Sequence, residues 1–503
     1  MSRSLRWLGW AGCLLAGMAA SAATASFDFD QLRTRARELA GRPFVKLQGE
    51  VPEWLRRLTY DELRHIEFDG RRTLWLGEQS PFQLQFLHPG FLFDQTVKLS
   101  EVRAGEVQPV PFRTDYFRYR TAATRDFPES MGFAGFRLMF PLGGRGQPHQ
   151  EIGSFAGASY FRFLGQDNAY GLSARGLALN TAEPQPEEFP RFTEFWLEQP
   201  AAGATSMNVY ALLESESVTG AYRFIVTPGP ATVLHVKAAV FVRHAVKVFG
   251  VAPLTSMFWH GENSQRPSRD FRPEVHDSDG LLVHNGAGEW IWRPLVNPPG
   301  LRVASFADEN PRAFGLLQRD RSFENYQDLE ASYHSRPSAW VEPVGDWGRG
   351  SVRLVEIPTA TEFDDNVVAF WVPEKAPGAG EAMEFEYRLH WFLDQIGPPR
   401  GHVRSTRHGK SAFYEPGLER FVVDFDGRQL QALAADAKIE HLVTVGEGAT
   451  LNHAALQKNS INGTWRVAFT IKPEGKGRPV ELRCFLRNAS GALTETWSYL
   501  WQP

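Results

Sequence analysis

Residues 234–242 read Leu-His-Val-Lys-Ala-Ala-Val-Phe-Val. Leu234, Val236, Ala238, Val240 and Val242 recur at every second position. A strand points alternate side chains to opposite faces, so this spacing predicts a strand with one face in a core. The pattern repeats elsewhere. Phe82, Leu84 and Phe86 alternate with Gln83 and Gln85, and Tyr222, Phe224 and Val226 run to the turn at Pro228-Gly229. Val352, Leu354 and Ile357 precede Pro358, while Val367–Val372 is continuously apolar, as in a strand buried on both faces. Glycine, proline and Asp/Asn turns separate these runs. The expectation is an all-β chain built as a large β-sandwich. Helices are few: Asp30–Leu39 and Tyr60–Ile66 are the candidates.

The segment 395–401, Gln-Ile-Gly-Pro-Pro-Arg-Gly, has linker composition. Beyond it, strand-like runs at Arg420–Phe425, Glu440–Val445, Trp465–Ile471, Val480–Leu486 and Thr494–Leu500 have the rhythm of an immunoglobulin-like sandwich. The expected division is a processing segment at 1–25, a large sandwich at 26–394 and a small sandwich at 402–503.

The first segment carries Arg3 and Arg6, an apolar run from Leu8 to Met18 and small residues from Ala20 to Ala25. That run is too short to span a bilayer and reads as a signal peptide cleaved after Ala23 or Ala25. Losing both arginines takes the formal charge from −4 to −6. Cys13 leaves with the segment, so Cys484 has no partner for a disulfide. An exported chain without disulfides suits a bacterial periplasm. Aromatic residues make up 13% and charged residues 22% of the 503 positions, a globular composition. With no basic surplus, nucleic acid is not an expected partner.

No phosphate loop, Gly-x-Ser-x-Gly elbow or His-Glu-x-x-His occurs. Asp277-x-Asp279-Gly280 opens like a calcium loop, but Gly288 stands where its bidentate glutamate belongs. Neither a metal nor a cofactor is expected. Two acid clusters carry more chemistry: Glu274, Asp277 and Asp279, and Glu362, Asp364 and Asp365. Each precedes a strand, where a rigid scaffold can hold a loop residue. Glycoside hydrolysis needs two carboxyls, one protonated and one ionised. Phe363, Phe370 and Trp371 offer apolar surroundings that favour a protonated acid. Against this, Asp and Asn commonly occupy turns for their local hydrogen bonds. Trp290, Trp292, Tyr326, Tyr333, Trp340 and Trp347 lie between the clusters, with Arg319, Arg321 and Arg336 among them. Rings can stack on sugars and guanidinium groups can bind hydroxyls, although rings in a sandwich are more often core. His260 and His276 read as structural histidines, and Trp290 and Trp292 share a strand face that suits core packing.

Ordered blocks then carry a family resemblance. They include Phe133-Ala-Gly-Phe-Arg137, Gly157-Ala-Ser-Tyr-Phe-Arg162, Tyr170-Gly-Leu-Ser-Ala-Arg-Gly176, Arg272-Pro-Glu-Val-His-Asp-Ser-Asp-Gly280, Glu289-Trp-Ile-Trp-Arg-Pro-Leu295, Arg336-Pro-Ser-Ala-Trp340 and Glu495-Thr-Trp-Ser-Tyr499. Together they resemble the periplasmic glucan biosynthesis proteins G and D. The resemblance implies a galactose-mutarotase-like sandwich followed by an immunoglobulin-like domain. It also implies inverting cleavage within β-1,2-glucan. Asp365 matches the family's general acid and Asp277 its general base, which works through a relay of water and sugar hydroxyls. Tyr333, Arg336, Trp347 and Glu362 are the expected cleft residues. Transfer or cyclisation of the glucan, and a non-catalytic role in glucan binding or branching, stay open as alternatives. Besides the glucan, a homodimer and a membrane glucosyltransferase are the candidate partners. The segment Ser405–Glu419 is short for the D-type loop, and the signal lacks paired arginines. The G or D branch is therefore left open.

Overall fold

A computed structural model describes residues 26–46, 51–120, 127–128, 131–144, 146–267, 269–393, 397–398, 400–410, 417–475 and 477–502. The expected signal peptide, part of the linker and the centre of the Ser405–Glu419 segment lie outside these residues.

The strand Thr232–Val242 sits in the middle of a long antiparallel run, paired on one edge with Val218–Thr227 and on the other with Ala382–Phe392. Its alternation is used on both faces. Leu234, Val236, Ala238, Val240 and Val242 enter the main core, whereas Ala239 and Phe241 lie under the helix Phe29–Ala40. That helix buries Phe29, Leu32 and Ala36, and Asp28 caps it by accepting from Gln31 N at 2.9 Å. The second expected helix is shorter than the sequence suggested. It ends at Arg64, because Ile66–Phe68 pairs as a strand with Phe117–Tyr119.

Among the described residues a fifteen-stranded sheet and a ten-stranded sheet form the large sandwich. The second sheet runs from Gln83–Leu87 through Gly135–Phe140, Gln150–Ala156, Tyr160–Phe163, Ser173–Arg175 and Phe249–Ser256 to Val367–Pro373, Arg349–Glu356 and Arg302–Glu309. Its Phe155 meets Phe224 of the first sheet at 5.1 Å and Phe195 at 5.4 Å, both edge-on. Aromatic side chains from the two inner faces thus interdigitate to form the core between the sheets.

Beyond residue 401, His402–Lys410, Glu419–Asp426, Trp465–Pro473 and Ala449–Lys458 form a four-stranded sheet. Glu440–Val445, Val480–Asn488 and Thr496–Trp501 instead extend the fifteen-stranded sheet, with Ile291 and Trp292 pairing in parallel with Thr496 and Trp497. Phe421, Phe469, Leu482 and Trp497 share one hydrophobic cluster with Leu282, Trp292 and Trp340. The all-β sandwich expected from the period-two runs is the fold observed. No helix among the described residues is long and apolar enough to cross a membrane.

Candidate active site

Met257 and Phe258 organise the site. The two-residue strand Val275–His276 pairs with Phe258–His260, and Asp277 N donates to Met257 O at 2.8 Å. The other acid loop is fixed to the next residue. Buried Asn366 accepts from Phe258 N at 2.8 Å and donates to Phe258 O at 3.0 Å and Ile357 O at 2.9 Å. Asp277 and Asn366, the residue after Asp365, are thus bonded to adjacent residues of one backbone segment, which ties the two acid loops together.

Asp277 is buried, and Arg336 Nη1 donates to its Oδ1. The guanidinium lies 4.1 Å from the centre of the Tyr333 ring, and its Nε donates to Ala331 O at 3.1 Å. Gly171 makes room for this side chain, since a Cβ there would lie 2.9 Å from Arg336 Cβ. Buried Tyr333 donates its hydroxyl to Glu362 Oε2 at 2.5 Å. Glu362 also accepts from Arg272 Nη1 at 2.7 Å and Nη2 at 3.2 Å. Arg272 further donates to Asp270 through Nε and Nη2 and to Asp328 at 2.9 Å. One continuous network therefore runs from Asp277 through Arg336, Tyr333 and Glu362 to Arg272.

Asp365 occupies the open side. Solvent reaches it, so it is exposed by surface, yet protein atoms crowd its carboxyl within the cleft. That crowding raises its pKa above 3.8, Asp277 adds to the rise, and Arg162, Arg175 and Arg336 oppose it. The exposed surface argues for a smaller rise than a sealed carboxyl would show. The arrangement sets an arginine-paired carboxylate beside a carboxyl biased toward its protonated form. Two carboxyls held in such different surroundings, one paired to a guanidinium and one crowded by protein, can divide base and acid roles.

Of the expected cleft residues, Tyr333, Arg336 and Glu362 come together with Asp277, and Trp347 does not. Trp347 lies beyond the far end of the strand Ser338–Val344, where it packs on Trp371 and Tyr387 and donates to Glu386 O at 3.3 Å. Arg319 is structural too. It forms a bidentate pair with Glu495 and lies 3.5 Å over Trp292. Trp290 stacks on His284 and Trp340, as the shared-face reading anticipated. Phe363 is 88% exposed, while Phe370 and Trp371 are core, so none of the three seals the acid loop. Asn366, Arg272, Arg162 and Arg175 were not singled out from the sequence. Asn366 was visible only as a neighbour of Asp365, and the arginines act through contacts that no spacing announces.

Glu274 and Asp279 turn away from Asp277. His276 Nε2 meets Glu274 at 2.9 Å and Asp279 at 3.5 Å, and its Nδ1 meets Gln318 Oε1 at 2.9 Å. Burial pulls the imidazole down, but the surrounding carboxylates outweigh it and hold its pKa up at about 9. Glu274, Asp279, Glu262 and Asp320 line a cavity of about 30 Å³, room for one or two waters. Among the described residues, Glu274, His276 and Asp279, and Glu262, Glu274 and Asp320, bring possible ligand atoms within 4.8 Å. Asp277 belongs to neither group, so the calcium-like Asp-x-Asp spacing does not converge on one point.

A family model described as "Periplasmic glucan biosynthesis protein, MdoG" matches residues 27–501. A protein named "Glucans biosynthesis protein G" from Ralstonia nicotianae is 44% identical over 498 residues, covering 97% of this chain and 99% of its own. One of the same name from Pseudomonas paraeruginosa is 43% identical over 506 residues, covering 97% and 95%.

Proposed function

Because the chain belongs to the periplasmic glucan biosynthesis protein family, we propose that it acts in the periplasm on β-1,2-glucan, cleaving the chain internally with inversion. One observation supports this reading: Asp277, paired to Arg336, and Asn366, the residue after the crowded Asp365, are bonded to adjacent residues of one backbone segment, so that the two carboxyls lie close enough to influence one another. Asp365 protonates the departing glycosidic oxygen. Asp277 takes the proton of the incoming water, directly or through intervening hydroxyls. Inversion requires the acid and base to flank the bond with space for that water between them. Arg336 and Tyr333 orient the base, and Glu362 holds Tyr333 from the loop that carries the acid.

Inversion also permits a sugar hydroxyl to replace water, which gives transfer or cyclisation. Incubating linear β-1,2-glucan with the protein separates the outcomes. Hydrolysis raises the count of reducing ends, while transfer changes the mass distribution at a constant count. If neither changes and the glucan still binds, the protein is an accessory to glucan assembly and the catalytic assignment is wrong.

A further inference from the structure

The backbone that carries Asp277 and the turn that presents Arg336 meet at one side chain. Buried Gln318 follows the strand Ala313–Leu317, and its Nε2 donates to His276 O at 2.9 Å and to Tyr333 O at 3.3 Å. His276 O belongs to the same peptide group as Asp277 N, whose N–H donates to Met257 O. Tyr333 O also accepts from Arg336 N at 3.1 Å, which closes the short turn Tyr333–Ser335. One amide nitrogen therefore spans the distance from the peptide of Asp277 to the turn of its arginine.

Hydrogen-bond accounting fixes how the amide sits. Both carbonyls only accept, so Nε2 must face them and Oε1 must face His276 Nδ1, at 2.9 Å. His276 Nδ1 therefore carries a hydrogen. Its Nε2 faces Glu274 Oε2 at 2.9 Å and Asp279 Oδ1 at 3.5 Å, and carboxylates there call for a second hydrogen. An imidazole with a hydrogen on each nitrogen is a cation, in keeping with the carboxylates around it. Phe258 stacks on the ring at 5.2 Å and Tyr326 meets it edge-on at 5.3 Å, so its plane is held on both sides. The imidazolium thus orients the amide, and the amide holds the two carbonyls.

We propose that Gln318, oriented by His276, is a positioning residue for the base: it keeps the Asp277 carboxylate and the Arg336 guanidinium in register while bonding only to the backbone beside them. This rests on Asp277 acting as the base. Gln318 is 2% exposed and His276 1%, so an effect of either on turnover must pass through the residues they hold. Without the amide, two buried carbonyls lose a donor. Unpaired buried carbonyls are costly, and rotating either peptide to relieve them moves Asp277 or the turn that presents Arg336.

Gln318→Met fills the same space without a donor or an acceptor. Gln318→Asn keeps an amide in the pocket, and so the fold, but is one methylene too short to reach His276 Nδ1 and both carbonyls. Steady-state kinetics on linear β-1,2-glucan and calorimetric binding of the glucan test both variants, alone and combined with Asp277→Asn. A misplacement of about 1 Å at a reacting group costs on the order of 100-fold, so each single variant should lose about 10- to 100-fold in kcat. Glucan affinity should change by less than about twofold, because the lost interaction serves the transition state. In the Asp277→Asn background neither substitution should lower the rate further, since the group it positions is already disabled. An unchanged kcat, a loss matched by weaker binding, or an equal loss in both backgrounds overturns the positioning role. If the wild type cleaves nothing, the hydrolytic reading falls and crystal structures of the two variants decide the rest. Arg336 displaced from Asp277 keeps the brace, and Arg336 still paired with Asp277 removes it.

Discussion

Removing the Arg319 guanidinium probes whether this residue is a structural tie or a sugar contact. Arg319 donates to Glu495 Oε1 at 2.6 Å, Glu495 Oε2 at 3.0 Å and Val403 O at 2.8 Å. The Glu495 side chain has no exposed surface and that of Arg319 is 7% exposed. Among the described residues, Arg319→Met leaves buried Glu495 with Val403 N, at 2.7 Å, as its remaining side-chain donor. Breaking a buried pair from one side costs about 3–5 kcal/mol, because a charge is stranded. Arg319→Met with Glu495→Leu strands no charge but leaves Val403 N unsatisfied, so it should cost only about 1–3 kcal/mol. The double variant is thus expected to be more stable than the single one. Urea unfolding followed by tryptophan fluorescence reads the difference, since Trp292 lies under Arg319 and Trp497 packs nearby. A single variant that loses less than about 1 kcal/mol, as an exposed pair would, refutes the structural role. So does a double variant worse than the single.

Three further outcomes follow from the geometry. Asn366→Ala removes three hydrogen bonds from a buried side chain. It should cost about 1–3 kcal/mol per group left unpaired and lower kcat more than it raises KM, as steady-state kinetics would show. The buried acid cluster should make stability fall with rising pH. Burial raises Glu262 to about 8 and, with neighbouring carboxylates, raises Asp320, so the folded state holds protons that the unfolded chain releases near pH 4.5. His276, held up at about 9, loses its contribution as pH climbs toward that value. Each group can contribute up to about 1.4 kcal/mol per pH unit, so melting temperature should decline between pH 5 and 9, and Glu262→Gln should flatten the decline; an unchanged slope contradicts this. Finally, the alkaline limb of kcat/KM should lie above the ordinary aspartate range, because crowding raises the pKa of Asp365, which the proposed acid role requires to be protonated. A limb at or below 3.8 removes Asp365 as the acid.

The period-two runs made the sandwich legible, because burial of one strand face is a local property of sequence. Thr232–Val242 shows its limit: Ala239 and Phe241 are buried too, beneath a helix that alternation cannot reveal. Sequence also brought Asp277 and Asp365 forward as acids beside strands, and the family blocks gave them roles. What it could not supply was convergence. Glu274 and Asp279 looked equivalent to Asp277, yet His276 and the Arg319 and Asp320 backbone amides take them elsewhere. Trp347 sits between the acid clusters in sequence but packs on Trp371 and Tyr387 in space, since the strand Ser338–Val344 carries the chain away from Arg336. Arg272 went unnoticed because its importance lies in three carboxylates from three separate loops.

The division of labour between Asp277 and Asp365 is tested most directly by following the anomer released from linear β-1,2-glucan by proton NMR. Wild-type protein should release new ends first as the α-anomer, and Asp277→Asn and Asp365→Asn should each bind the glucan while losing at least about 100-fold in rate. Release of the β-anomer first, or full turnover by either variant, would contradict the account.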